Sequence, residues 1–172
     1  MPELLVDVTD LSSRAGATKD IALEVRLGGL RNALGWVEEE DRVHLDLSAE
    51  GLVEGVVVSG RVSGTMHLAC SRCLKEYEED FEQPVDEVFY YEQGEEKGGY
   101  DVCHDTIDLE PVIRDAVVLG IPEQPLHDPH CKGLCPDCGA DLNLIECGHG
   151  QHRIDSGWAG LIEIAQHLEE RS

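Results

Sequence analysis

Two Cys-x-x-Cys pairs, Cys70-Ser71-Arg72-Cys73 and Cys135-Pro136-Asp137-Cys138, constrain this chain more than any other feature. Two intervening residues let a tight turn aim two sulfurs at one ion, and Gly139 after the second pair permits the positive φ that such a knuckle needs. Four thiolates would complete a tetrahedral zinc site, so Cys70, Cys73, Cys135 and Cys138 are the expected Zn2+ ligands. Because the pairs are far apart in sequence, a shared ion requires the tertiary fold to bring two knuckles together. The metal is then a staple between a β-rich half and a C-terminal segment.

A local alternative stays open. Cys131, Cys135, Cys138 and Cys147 lie close together in sequence, with His130, His149 and His152 as further nitrogen donors. Cys131 and Cys147 are therefore alternate ligands. The chain has seven cysteines, and an odd count in a reducing compartment argues against a disulfide framework. Cys103 has only His104 beside it as a donor and reads as an incidental thiol.

Charge sets the second constraint. Asp and Glu number 36 against 13 Lys and Arg, for a formal charge of -23 and a pI near 4.4. Such a field repels phosphate backbones and anionic membranes, which disfavours a direct grip on nucleic acid. Aromatic residues make up only 5% of the chain, too few for base-stacking platforms. No apolar run reaches the roughly 18 residues of a membrane helix. The start, MPELLVDVTDLSS, lacks the features of a signal peptide, so a soluble cytoplasmic protein is expected.

Along the chain, Ile21-Leu23-Val25-Leu27 and Val43-Leu45-Leu47 alternate with the period of half-buried strands. Extended structure is expected again over Leu52 to Val58, from Val62 to Cys70, and from Tyr77 to Tyr91, with Gly60 and Gly64 marking a bend or bulge and Pro84 an edge or kink. From Glu76 to Glu110 there are 14 acidic residues and one lysine, Lys97. Residues 92–107 read as an acidic loop. Leu109, Val112, Ile113, Ala116 and Val117 predict a helix near 108–120, with Asp108 capping it, Pro111 in its first turn, and Gly120 and Pro122 ending it. A second amphipathic helix is expected over 158–169, where Trp158, Leu161, Ile162, Ala165 and Leu168 form one stripe.

The fold class expected is α+β: a mainly antiparallel sheet, barrel-like or sandwich-like, over 1–91, one central helix, a zinc-stapled segment over 127–147, and a C-terminal helix. Residues 1–150 form one domain and 151–172 a tail. The chemistry of an enzyme is missing. There is no HExxH, no HxE…PCxxC, no phosphate-cradling GxxxxGK[ST], no GxGxxG after a strand and no GxSxG. Adjacent residues in the turn His127-Asp128-Pro129-His130-Cys131 rarely converge on one substrate atom, so a ligand or capping role for His127 or His130 is the better reading.

CSRCL at 70–74, DLEPVIRDAVVLGIPEQPLHDPHC at 108–131 and KGLCPDCGADLN at 132–143 together resemble the YceD family, the large ribosomal RNA subunit accumulation proteins. The likeness runs from about residue 55 to 147. It implies a non-enzymatic bacterial or plastid factor needed for normal levels of large-subunit ribosomal RNA, and the cysteines at 70, 73, 131, 135 and 138 match the family's cysteine motifs. An acidic factor of this kind is expected to reach RNA indirectly, through a basic ribosomal protein, a processing enzyme or an assembly factor. Glu76, Glu78, Glu79, Asp80 and Glu82 are the expected docking face. Two alternatives remain: a direct RNA-binding zinc ribbon, with Arg61, Arg72, Lys75, Arg114 and Lys132 clustered on one face, and a thiol redox protein.

Overall fold

In the computed structural model, residues 4–12, 14–91, 99–149 and 161 are described. The chain divides into two compact units, Met1–Pro129 and His130–Ser172. The first unit runs β1 (Leu5–Asp7), α1 (Thr9–Ser12), β2 (Thr18–Val25), β3 (Gly35–Trp36), β4 (Val43–Gly51), β5 (Gly55–Ala69), β6 (Glu76–Tyr90), β7 (Tyr100–Asp101), β8 (Thr106–Asp108) and α2 (Glu110–Gly120). Among the described residues, no helix is long and apolar enough to cross a membrane.

The main sheet has the order β2-β4-β5-β6-β7, with β3 also on β5; β1 and β8 form a separate two-stranded sheet. All pairings are antiparallel except the short parallel match of β6 with β7. The path is open and ends on β2, so the sheet is neither a closed barrel nor two stacked layers. Alternation identifies strands but carries no information about closure, which depends on whether the two outer strands meet. The inner face of the sheet is covered instead by helices and by the β1–β8 ribbon.

Period-2 alternation works as the sequence implies. Val43, Leu45, Leu47 and Ala49 of β4 are buried, as are Val56, Val58, Val62, Met66 and Leu68 of β5. On β6 the buried residues are Phe81, Val85 and Phe89. Against this face α2 packs Val112, Ile113 and Val117, joined by Leu109 and Ile121. Just before the helix, Asp108 Oδ1 accepts the Glu110 N–H at 2.9 Å although Leu109 is the capping residue, and Pro111 sits in the first turn. Arg114 ties it to the Gly28 carbonyl at 2.9 Å and pairs within the helix with Glu110 at 2.8 Å.

β5 is one 15-residue strand rather than two. Gly60 makes this continuity possible, because its φ of 146° is one that side-chain-bearing residues rarely adopt and a Cβ there would sit 2.2 Å from the Asp46 carbonyl oxygen. The acidic loop expected over 92–107 contains β7 and reaches into β8. Those strands are only two and three residues long and owe their pairing to distant partners, Ile107 opposite Val6 for example. The helix expected over 158–169 lies almost wholly outside the described residues.

The sheet's other face is polar and acidic. The register places Glu78 opposite His67, Asp80 opposite Thr65 and Glu82 opposite Ser63. Next to these come Asp46 opposite Arg61, and Glu24 opposite His44.

Candidate metal centres

Each Cys-x-x-Cys pair is built into the same turn. In the first, which joins β5 to β6, the Leu74 N–H donates to the Cys70 carbonyl at 2.8 Å and the Cys70 N–H to the Lys75 carbonyl at 2.9 Å. In the second, the Gly139 N–H donates to the Cys135 carbonyl at 2.8 Å and the Cys135 N–H to the Ala140 carbonyl at 2.8 Å. The residue after each pair is left-handed, Leu74 at φ 62° and Gly139 at φ 71°. Both turns are therefore complete knuckles. The first is disguised in sequence because a leucine occupies the glycine position.

Around the first knuckle gather Cys70, Cys73 and His127, and the fourth member is Cys131, four positions after His127. Around the second gather Cys135, Cys138, Cys147 and His149. Within each group the ligand atoms all lie within 4.8 Å of one another. Donors at 2.0–2.3 Å from a common tetrahedral centre would be separated by roughly 3.5 Å, so small side-chain adjustments suffice to close either group on an ion. Three sulfurs and one imidazole nitrogen are a zinc-type donor set.

The four-sulfur set expected from spacing is not one of these two groups. Cys70 and Cys73 stand in one group, Cys135 and Cys138 in the other, and Cys131 and Cys147 each belong to a group. The reason is local chain geometry. After α2 the chain returns past the first knuckle, where the Pro125 carbonyl accepts the Ser71 N–H at 2.8 Å, and this sets His127 Nδ1 3.5 Å from Cys73 Sγ. The second knuckle is served by its own following turn. The Leu142 N–H donates to the Gly133 carbonyl and the Ile145 N–H to Asp141, which carries Cys147 and His149 back until His149 Nδ1 is 3.8 Å from Cys135 Sγ. His130 joins neither group, His152 is outside the described residues, and Cys103 is exposed.

The electrostatics favour thiolates. Burial pushes Cys70 upward, but hydrogen bonds from the His127 side chain and from the backbone N–H groups of Cys73, Arg72 and His127 outweigh it, bringing the thiol down to about 5. Backbone N–H groups of Cys138 and Asp137 bring Cys135 down to about 7. Cys138 receives a hydrogen bond from the Ala140 backbone, yet its neighbours Cys135 and Cys147, together with burial, push it up. Three sulfurs crowded together cannot all ionise cheaply without a cation between them.

Asn143 escaped the sequence reading. Its Nδ2 donates to Cys131 Sγ at 3.4 Å and to Asp141 Oδ1 at 2.7 Å, while its Oδ1 accepts the Lys132 N–H at 2.7 Å. The Asp-Leu-Asn spacing, in which Asp141 also accepts the Asn143 N–H, was the available signal.

Of the five acidic residues expected to form a docking face, Glu76, Glu78, Asp80 and Glu82 alternate onto the outer face of β6. Glu79 falls on the opposite side, beside Tyr77, whose phenol is pushed up first by burial and then by Glu79. Four of the basic residues of the RNA-binding alternative, Arg61, Arg72, Lys75 and Arg114, are dispersed within the first unit, and Lys132 belongs to the second. Arg61 lies on the outer face, 3.3 Å from Glu82, and Arg114 on the helix against the inner face. Arg72 and Lys75 belong to the knuckle turn.

The sequence model of the family described as large ribosomal RNA subunit accumulation protein YceD matches residues 58–165. The chain belongs to the YceD family. Both knuckles and α2 lie inside the matched YceD region. An uncharacterized protein of Mycobacterium tuberculosis is 36% identical over 171 residues, covering 94% of this chain and 81% of that protein. A chloroplastic YCED homolog of Arabidopsis thaliana, itself described as a large ribosomal RNA subunit accumulation protein, is 35% identical over 65 residues, 38% of this chain and 20% of the homolog. YlbN of Bacillus subtilis is 29% identical over 113 residues, 63% of this chain and 66% of that protein. No solved structure gives a significant match.

Proposed function

We propose that this YceD-family protein supports the accumulation of large-subunit ribosomal RNA as a non-enzymatic accessory factor, reaching the RNA through a basic protein partner. Zn2+ held by Cys70, Cys73, His127 and Cys131 would fix the knuckle at the end of the β5–β6 hairpin. The observation that carries the docking half of this reading is the outer face of the sheet. Glu76, Glu78, Asp80 and Glu82 form a row along one strand, flanked across the sheet by Asp46 and Glu24, and Arg61 and Arg42 are already engaged with Glu82 and Glu24. A basic ribosomal protein, a processing enzyme or an assembly factor meeting that row would associate faster and in a fixed orientation.

The test neutralises the row with Glu76→Gln, Glu78→Gln, Asp80→Asn and Glu82→Gln together, and measures association with purified large-subunit ribosomal proteins across salt. The on-rate is expected to fall by about tenfold or more at low salt and to lose most of its salt dependence. Unchanged kinetics would remove the docking face. Gel shifts with ribosomal RNA fragments would separate out direct RNA binding, for which affinity should fall steeply with salt. In a strain lacking its own YceD protein, the same variant should restore large-subunit ribosomal RNA less well than the unaltered chain.

A further inference from the structure

We propose that Cys135, Cys138, Cys147 and His149 bind a second divalent cation of the zinc class, separate from that of the first knuckle, and that residues 133–149 take up their fold only when it is bound. This goes beyond the ribosomal reading and does not depend on it. The donor set is complete within a stretch of 15 residues, 135–149.

What points to metal-dependent folding is how little, among the described residues, packs on the segment. Among the described residues, the apolar core ends at Ile121. Among the described residues after Pro129, only Cys131, Gly133 and Cys135 are buried. The larger apolar side chains turn outward instead, with Leu144 81% and Ile145 57% exposed. Among the described residues, the segment has turn hydrogen bonds, the side-chain bonds of Asn143 and the short bridge between Leu134 and Asp141. Hydrogen bonds of this kind contribute little net stability when they compete with water. A short segment whose described residues form no hydrophobic core needs a cross-link, and the chemistry present offers a metal rather than a disulfide, since an imidazole joins the three sulfurs with all four ligand atoms within 4.8 Å of one another. On binding, the thiols release their protons to solvent and the thiolates close on the ion.

The two sites also differ in access. Cys70, Cys73 and Cys131 are buried, whereas Cys138 and His149 are exposed. A chelator should strip the second ion first.

The experiment uses the full chain loaded with zinc alone, with elemental analysis and amide hydrogen exchange as readouts. Two zinc equivalents per chain are expected, and the Cys138→Ser/Cys147→Ser variant should retain one. On graded chelation, the first equivalent released should coincide with loss of protection at the Gly139, Leu142 and Ile145 amides, down to the level of an unstructured loop, while β4 and β5 amides stay protected. The sheet amides report whether the variant is folded. One equivalent in the unaltered chain, two in the variant, or equal protection of residues 133–149 with and without metal would each overturn the proposal.

Discussion

Leu74 and Gly139 occupy the same position in two equivalent turns, and exchanging their chemistry predicts a near-neutral change at the first knuckle and a loss at the second. At φ 62° a leucine pays the left-handed penalty of about 1–2 kcal/mol that a glycine avoids. Leu74 is 64% exposed, so removing its side chain forfeits only a few tenths to about 1 kcal/mol of apolar burial. The added freedom of glycine in the unfolded chain costs a further 0.4–1 kcal/mol or so. Leu74→Gly should therefore lie within about 1 kcal/mol of neutral in either direction, where most substitutions by glycine in ordered backbone clearly destabilise. At Gly139 a Cβ would meet nothing within 4 Å, so Gly139→Ala carries the conformational penalty alone, about 0.5–1.5 kcal/mol net after the entropy gain. The assays are urea unfolding in saturating zinc for Leu74→Gly and chelator competition for Gly139→Ala, where that penalty appears as roughly two- to tenfold weaker zinc binding. A loss of more than about 1 kcal/mol for Leu74→Gly, or unchanged zinc affinity for Gly139→Ala, would refute the equivalence of the turns.

Gly60→Ala, which combines a φ of 146° with a Cβ 2.2 Å from the Asp46 carbonyl oxygen and 2.7 Å from the Leu47 Cα, should destabilise the protein by about 3 kcal/mol or more in denaturant titrations. Tyr100 is pushed up to about 12 by burial and by its hydrogen bond to Asp115, against about 10 when unfolded, so its contribution is complete below pH 10 and vanishes as the pH rises through 12. Tyr100→Phe should accordingly be less stable than the unaltered protein at pH 8 and converge with it above pH 12, as followed by thermal melting at each pH. In zinc-loaded protein, Cys70 and Cys73 should resist alkylation at neutral pH and become reactive on chelation; rapid alkylation with metal in place would favour the thiol redox alternative.

The strands were legible because half-buried antiparallel sheets write a period of two into residues such as Val43, Leu45 and Leu47, and α2 because Leu109, Val112, Ile113 and Val117 repeat at helical spacing, with Pro111 in the first turn and Pro122 past the end. The short elements were not. The four residues of α1 are too few for a period to emerge, and β8 is extended because Ile107 meets Val6, a contact from the other end of the chain. At the metal centres the two sulfur pairs are visible in sequence, whereas the choice of partners is not. His127 reaches Cys73 only because the chain after α2 runs back along the knuckle through the bond from Ser71 to Pro125. A leucine at position 74 also hides the likeness between the two turns, which would have suggested that each knuckle closes its own site.

Zinc-edge X-ray absorption on the fully loaded chain addresses the central claim most directly, because it counts the atoms around the metal. Two independent groups of three cysteines and one histidine predict an average coordination of three sulfurs near 2.3 Å and one nitrogen near 2.0–2.1 Å. A shell of four sulfurs and no nitrogen would mean that the two Cys-x-x-Cys pairs share an ion after all, and would contradict the account.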